Sequence, residues 1–340
     1  MRAALMQRGR IWVDNIDVPV PGPGEVLVKS LACGICGSDL HATQHTEAFV
    51  KTSREAGGAF KLTTFEPVVL GHEFCAEVVD HGPATDHRFA VGTRVCSVPA
   101  LTRKPMLSVG YSDIIPGGFG EYMVLSESLL VPVPDGTPAT AAALTEPMAV
   151  GYHAVRKARL EAGDACLVIG CGPVGLAVIT ALRSEGIRPI VATDFSPARR
   201  QLAIQQGADT VLDPAIEDAW KDPALRRPDH VVIFECVGVP GMLDQIFLNA
   251  PQNARIIVAG VCLQQDQFRP LIGINKELSL QFVLGYSMME FVESLHRIAD
   301  GRFDVGRLVT HQIGLDDVAG TFEALKTPNH HAKVMVEAWR

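Results

Sequence analysis

The sequence predicts an α/β protein of two domains, a β-rich one followed by a doubly wound parallel sheet, and three observations carry that expectation. Up to about Thr145, short apolar runs such as Glu25–Lys29 and Ala76–Val79 are broken by Gly and Pro, the pattern of a compact antiparallel, barrel-like domain. Between Ala139 and Arg159 an alanine-rich helical periodicity takes over and marks the junction. From Asp164 onward apolar strands alternate with helical stretches, an order that favours parallel strands joined by crossover helices. A chain of 340 residues is long enough to give each domain its own core.

Ala165–Ile169 is an apolar strand, Gly170-Cys171-Gly172-Pro173-Val174-Gly175 turns out of it, Leu176–Ile179 continues as a helix, and Pro189–Thr193 supplies the next strand of a βαβ unit. Further strands are expected at Thr210–Leu212, His230–Glu235, Arg255–Ala259 and Leu280–Leu284. Helices are expected around Glu290–Ala299 and Leu315–Leu325, and a terminal strand at Ala332–Val336.

A net charge of −8 disfavours nucleic acid or an anionic membrane surface as the main partner, because both require clustered positive charge. No segment reaches membrane-spanning length, and the apolar run in Met1–Arg8 breaks too early for a secretory signal, so a cytoplasmic protein is expected. Eight cysteines in so long a chain do not make a disulfide scaffold; several, Cys166 and Cys262 among them, lie in apolar strand-like runs and read as reduced and buried. Cys33-Gly34-Ile35-Cys36 has no second pair to complete a four-cysteine site, and it lacks the strand-then-helix setting of a redox motif.

Chemistry concentrates in Cys36-Gly37-Ser38-Asp39-Leu40-His41 and Gly71-His72-Glu73, which offer a thiolate, an imidazole and carboxylates from separated segments. Zinc takes sulfur, nitrogen and oxygen ligands tetrahedrally, and a catalytic site leaves one position open, so Cys36, His72 and one carboxylate would suffice. A metal-bound histidine needs a partner on its other ring nitrogen, and Asp39 can supply it. Gly170-x-Gly172-x-x-Gly175 follows a strand and opens a helix, the setting in which such glycines admit a dinucleotide pyrophosphate to the helix N-terminus, with Pro173 and Val174 in the turn. Asp194, about 20 residues further on, can accept from the ribose hydroxyls, which favours NAD; Arg199 or Arg200 would instead suit a 2′-phosphate. Asp194 also fits a plain helix-start role before Ser196-Pro197. Gly238 and Gly260 follow later strands and are either further cofactor contacts or turn glycines.

Gly34–Asp39, Gly71–Glu73 and Gly170–Gly175, together with Pro21–Val26, Val91–Val95, Gly118–Tyr122 and Asn275–Leu278, resemble the zinc-dependent medium-chain alcohol and polyol dehydrogenases over nearly the whole chain. The resemblance implies a GroES-like catalytic domain over 1–150, completed by 290–340, and an NAD-binding Rossmann domain over 151–289. It carries the zinc role to Cys36 and His72 with a third ligand from Glu73 or Glu146, and a proton relay to Ser38 and His41. An Arg at the position of Arg199 commonly lies near the adenine in that family. The implied reaction moves hydride between an alcohol (secondary alcohol, diol or polyol) and NAD(H) with one catalytic zinc per subunit, in a dimer or tetramer whose other partner is a small alcohol or carbonyl substrate. The stretch 99–116 lacks the four closely spaced cysteines that hold a structural zinc in many relatives, and residues 47–65 read as an insertion, either a wall of the site or a tolerated surface loop. A zinc-free quinone or enone reductase of the same fold and a non-catalytic NAD-binding protein are the alternatives.

Overall fold

The structure is a computed structural model and describes residues 1–58, 60–226, 230–327 and 331–340. In chain order the first elements are β1 (Arg2–Gln7), β2 (Arg10–Asn15), β3 (Glu25–Gly34), α1 (Gly37–Gln44), α2 (Thr46–Glu55), β4 (Val68–Val69), β5 (Glu73–His81), β6 (Arg94–Ser97), β7 (Ala100–Leu101), β8 (Leu107–Ser108), β9 (Tyr122–Ser126), β10 (Leu130–Pro132) and α3 (Ala139–Ala142). The alternating strand runs follow the sequence expectation. They continue through α4 (Thr145–Lys157), β11 (Ala165–Ile169), α5 (Pro173–Ser184), β12 (Ile190–Thr193), α6 (Pro197–Gln206), β13 (Thr210–Leu212), β14 (Val231–Glu235), α7 (Met242–Asn249), β15 (Arg255–Val258), α8 (Pro270–Asn275), β16 (Ser279–Phe282), α9 (Met288–Ala299), β17 (Val309–Ile313), α10 (Val318–Leu325) and β18 (Lys333–Val336).

The chain forms two compact units, Met1–Glu146 with Val309–Arg340, and Pro147–Leu308. In the first, a sheet runs β10-β6-β5-β3-β18-β17 with β9 also on β3, beside a β2-β1-β4 sheet and a β7-β8 hairpin. β3 is its hub: Gly34 pairs with Glu73 of β5 on one side and with Met335 of β18 on the other. The last strand of the chain is thereby set across β3 from the first residues of β5, an arrangement invisible in local sequence.

In the second unit, β13-β12-β11-β14-β15-β16 form a parallel sheet, as the strand–helix alternation predicts. Leu167, Val191, Ile233 and Ile256 pack under Ile246 and Phe247 of α7, while α5 is buried from Gly175 to Leu182. Residues 290–308, which the family resemblance groups with the first domain, lie in the second unit. The reason is Arg297 of α9, which donates to Ser184 Oγ at 2.8 Å and Glu185 Oε1 at 2.6 Å, with its guanidinium over the Tyr152 ring.

Two local expectations need correction. Cys262 follows β15 in a loop and is only partly buried, because the apolar run ends with the strand at Val258. Cys33 and Cys36 do sit at a strand-to-helix turn, between β3 and α1. What withholds Cys33 from redox chemistry is burial: the thiol is fully enclosed, and burial followed by the charges of Asp39 and Glu73 holds its pKa well above the ordinary value.

Candidate metal centre and cofactor site

Cys36 ends the extended segment after β3 and caps α1. Asp39, three residues on and fully buried, accepts the Cys36 N–H through Oδ2 at 2.9 Å, closing a capping box. Its other oxygen stands 3.2 Å from His72 Nδ1. One carboxylate therefore holds the backbone of the thiol by a hydrogen bond and stands beside the imidazole as its charge partner. Gly71, at φ +100°, turns the chain into β5, and a Cβ there would press on Cys33 Sγ and Phe119. The result is that the ligand atoms of Cys36, His72 and Glu73 lie within 4.8 Å of one another.

This donor set fits a zinc ion. Sulfur, imidazole nitrogen and carboxylate oxygen are its usual partners, and an acid behind the histidine is the usual support. The electrostatics agree: burial works against a charged His72, yet the Asp39 carboxylate and the Cys36 sulfur outweigh it and hold its pKa well above the ordinary value.

Glu73 already has one cation. Lys333 Nζ donates to its two oxygens at 2.9 and 2.6 Å and to the Ile35 carbonyl at 3.1 Å, with both side chains at most 2% exposed. A Cβ at Gly34 would overlap Glu73 Oε2 and crowd Lys333 Cδ, so the hub strand needs glycine there. Glu146, near the start of α4, stands outside the ligand group but close enough for its charge to act on Tyr111 and Lys333.

Ser38 donates to Cys36 Sγ at 3.0 Å and accepts from the Tyr111 hydroxyl at 2.7 Å. His41 follows Ser38 by three residues on α1, on the same helix side; burial, then the charge of His45, lowers its pKa. Lys333 and Tyr111 were not anticipated. Lys333 left a signal, a lone charge inside the apolar run Ala332–Val336, since a buried charge must be paired. Tyr111 left none.

In the second unit the three glycines of the turn have distinct reasons. Gly170 takes φ +90° and leaves no room beside Val237; a Cβ at Gly175 would overlap the Gly170 carbonyl oxygen; a Cβ at Gly172 would meet nothing within 4 Å. Gly172 thus borders open space at the cap of α5, where Pro173 and Val174 begin the helix. Asp194 accepts from Cys171 N at 2.8 Å and Ser196 N at 2.7 Å, tying the strand end to the glycine turn. Arg199 has a buried Nε without a hydrogen-bond partner among the described residues, and its charge reaches Cys171. Gly238 and Gly260 approach each other and Val261 so closely that packing alone demands glycine at both.

Two family models match the chain, the alcohol dehydrogenase GroES-like domain over residues 22–135 and the zinc-binding dehydrogenase domain over residues 173–300. A (R,R)-butanediol dehydrogenase of Bacillus subtilis (strain 168) is 34% identical, over 99% of both chains. The chain belongs to the zinc-binding alcohol dehydrogenase family. Within this family it is also similar to an L-threonine 3-dehydrogenase of Rhizobium rhizogenes, 30% identical over 96% of this chain and 94% of that one. The crystal structure of 2R,3R-butanediol dehydrogenase from Bacillus subtilis superposes with a TM-score of 0.85 at 32% identity, covering 99% of each chain. This dehydrogenase is therefore a zinc-type medium-chain alcohol/polyol oxidoreductase with the GroES-like and Rossmann folds expected from its sequence. Among the described residues of the dehydrogenase, no helix is long and apolar enough to cross a membrane.

Proposed function

We propose that the enzyme oxidises a secondary alcohol carrying a polar group on the adjacent carbon, with NAD⁺ as hydride acceptor and one zinc per subunit. The observation that carries this reading is the convergence of Cys36, His72 and Glu73 in front of Asp39. Zinc held there supplies Lewis acidity, lowering the pKa of an alcohol hydroxyl or polarising a carbonyl. Cys36 and His72 would be two of its ligands. Of the two carboxylates, Glu73 would be the third ligand, because its oxygen lies within the ligand group while Glu146 stands outside it, and Glu73 would share its charge between the metal and Lys333. Asp39 stands against the His72 ring, Ser38 accepts the proton of the substrate hydroxyl as its own O–H proton leaves towards His41, and His41 hands a proton to solvent.

The substrate class follows from chemistry shared by relatives. The carbinol carbons of 2R,3R-butanediol and position 3 of threonine are both secondary, and each has an oxygen or nitrogen on the next carbon. Asp194 at the end of β12 supports NAD, since a carboxylate accepts from a ribose 2′-hydroxyl and repels a 2′-phosphate. Met1–Glu146 with 309–340 is read as the catalytic domain and 147–308 as the cofactor domain. A cytoplasmic setting suits its reduced cysteines.

A homo-oligomer, dimer or tetramer, is supported by β16, an edge strand of the parallel sheet with exposed Phe282, followed by Leu284 at 90% exposure. Such an apolar open edge invites a partner strand. Light scattering should give a dimer or larger, and F282E should reduce it; a monomeric wild type would refute this.

The deciding experiment is the initial rate of NAD⁺ and NADP⁺ reduction across primary alcohols, secondary alcohols, vicinal diols and sugars, with and without a strong zinc chelator. Chelator-sensitive reduction fastest with 2,3-butanediol-like substrates is expected. Primary alcohols turning over faster than all diols would overturn the substrate reading, and chelator-resistant turnover the metal reading.

A further inference from the structure

We propose that residues 47–65, the insertion between the two halves of the metal site, act through Phe49, Phe60 and Lys61 as a buttress that fixes Tyr111 against Ser38, making Tyr111 a positioning residue for the serine hydroxyl. The inference rests on the reading above, in which Ser38 handles the substrate proton.

The contacts run in an unbroken series. Phe49 of α2, 6% exposed, stacks on Phe60 with centroids 5.0 Å apart and 12° between planes. Both rings press on Tyr111, at 5.6 and 4.6 Å. Tyr111 in turn lies 4.9 Å from the His72 ring, and its hydroxyl reaches Ser38 Oγ at 2.7 Å and Asp39 Oδ1 at 3.2 Å. The backbone is joined as well. Lys61 N donates to the Tyr111 carbonyl at 2.9 Å, and Asp113 N donates to the Lys61 carbonyl at 3.4 Å. Among the described residues, these are the backbone bonds that tie 111–113 to a remote segment. Residues 47–65, of which Ala59 lies outside the described residues, are therefore stitched to the site rather than looped out from it.

The chemical effect lies in the number of protons. A serine hydroxyl on the first turn of a helix can rotate among staggered positions, donating or accepting in each. Tyr111 has one proton to give, and the shorter contact is to Ser38. One lone pair of Ser38 is thereby filled, and its own O–H points to Cys36 Sγ at 3.0 Å. The serine enters the reaction already turned towards the metal side, with its second lone pair free for the substrate proton, and as that proton arrives its own O–H proton swings from Cys36 Sγ and leaves towards His41.

The test compares Y111F, F60L, S38A, F60L/Y111F and S38A/Y111F, using whichever alcohol of the panel turns over fastest. Y111F should lower kcat by about fivefold to tenfold, the effect of one neutral hydrogen bond, with KM, zinc content and melting temperature close to wild type. The solvent deuterium isotope effect on kcat should rise, a change that loose packing alone would not produce. F60L should reproduce the kcat loss, F60L/Y111F should be no worse than Y111F, and S38A/Y111F no worse than S38A. If S38A is impaired while Y111F keeps wild-type kcat and isotope effect, the buttress inference falls alone. If S38A keeps wild-type kcat, the serine relay falls and takes the inference with it.

Discussion

Replacing Lys333 with methionine tests the electrostatics of the centre without touching a candidate zinc ligand. Lys333 and Glu73 are at most 2% exposed, and the ammonium makes three hydrogen bonds, two of them to the carboxylate. An exposed pair would contribute about 0–1 kcal/mol, but breaking a buried one by removing a single partner costs about 3–5 kcal/mol, because the remaining charge stays buried and unpaired. Methionine fills the volume of the lysine stem, so the loss is mainly the charge rather than a cavity. At about 2–4 °C per kcal/mol for a domain of this size, K333M should melt roughly 10 °C below wild type.

Two controls separate charge from packing. K333M/E73Q removes both charges and should recover most of the loss, since replacing both partners leaves nothing ionic stranded. Added zinc should raise the melting temperature more in K333M than in wild type, because the metal is a second cation within reach of Glu73. The pH dependence has a fixed sign. Burial lowers the Lys333 pKa, but Glu73 and then Cys36 raise it above the ordinary lysine value overall. Stability from a raised lysine pKa is fully present below the unfolded value and is lost as pH rises through the folded one. The difference between wild type and K333M should therefore hold at neutral pH and shrink on the alkaline side. A K333M protein melting within about 2 °C of wild type at pH 7, or a double variant no better than the single, would refute the reasoning.

The glycine turn gives a paired prediction: G172A should keep the wild-type melting temperature but weaken NAD⁺ binding, while G175A should unfold more readily because its methyl group meets the Gly170 carbonyl; thermal melts and cofactor titration distinguish them. D194A should shift the NAD⁺ to NADP⁺ ratio of kcat/KM by about tenfold or more towards NADP⁺, and an unchanged ratio would remove Asp194 from cofactor choice. His41 must be neutral to accept a proton, and its pKa is depressed by burial and by His45, so alcohol oxidation should fall only on the acid side of about pH 6.5. H45Q lifts the repulsion and should move that limb upward, whereas a limb that persists unchanged in H41Q would exclude His41 as its source.

Much of this was legible because it is local. The strands β11, β13 and β15 announce themselves as apolar runs, and Gly170–Gly175 announces a turn with open space, because periodicity and steric demand act within a few residues. Asp39 behind His72 follows from what a buried imidazole needs. The glycines at 238 and 260 show the limit of such reading, since packing of loop against loop explains them as fully as a cofactor would. What stayed hidden depends on distant pairings. Lys333 meets Glu73 across 260 positions and Tyr111 meets Ser38 across 73, and no pattern in either segment specifies the other.

The site is organised around a single residue without a side chain. Gly34 is paired simultaneously with Glu73 and Met335, so β5 and β18 approach over it and their side chains meet in the space a Cβ would take. The strand on one side delivers Glu73, with His72 just before it, the strand on the other delivers Lys333, and two residues beyond Gly34 the chain supplies Cys36 itself. Charge in the centre is thus set by sheet register. A one-residue slip of β18 would carry Lys333 away from Glu73 and turn its side chain to the opposite face, stranding the carboxylate in the same way as K333M. The closing strand of the chain is therefore part of the electrostatics of the metal centre, and a truncation that removes β18 should lose zinc as well as stability.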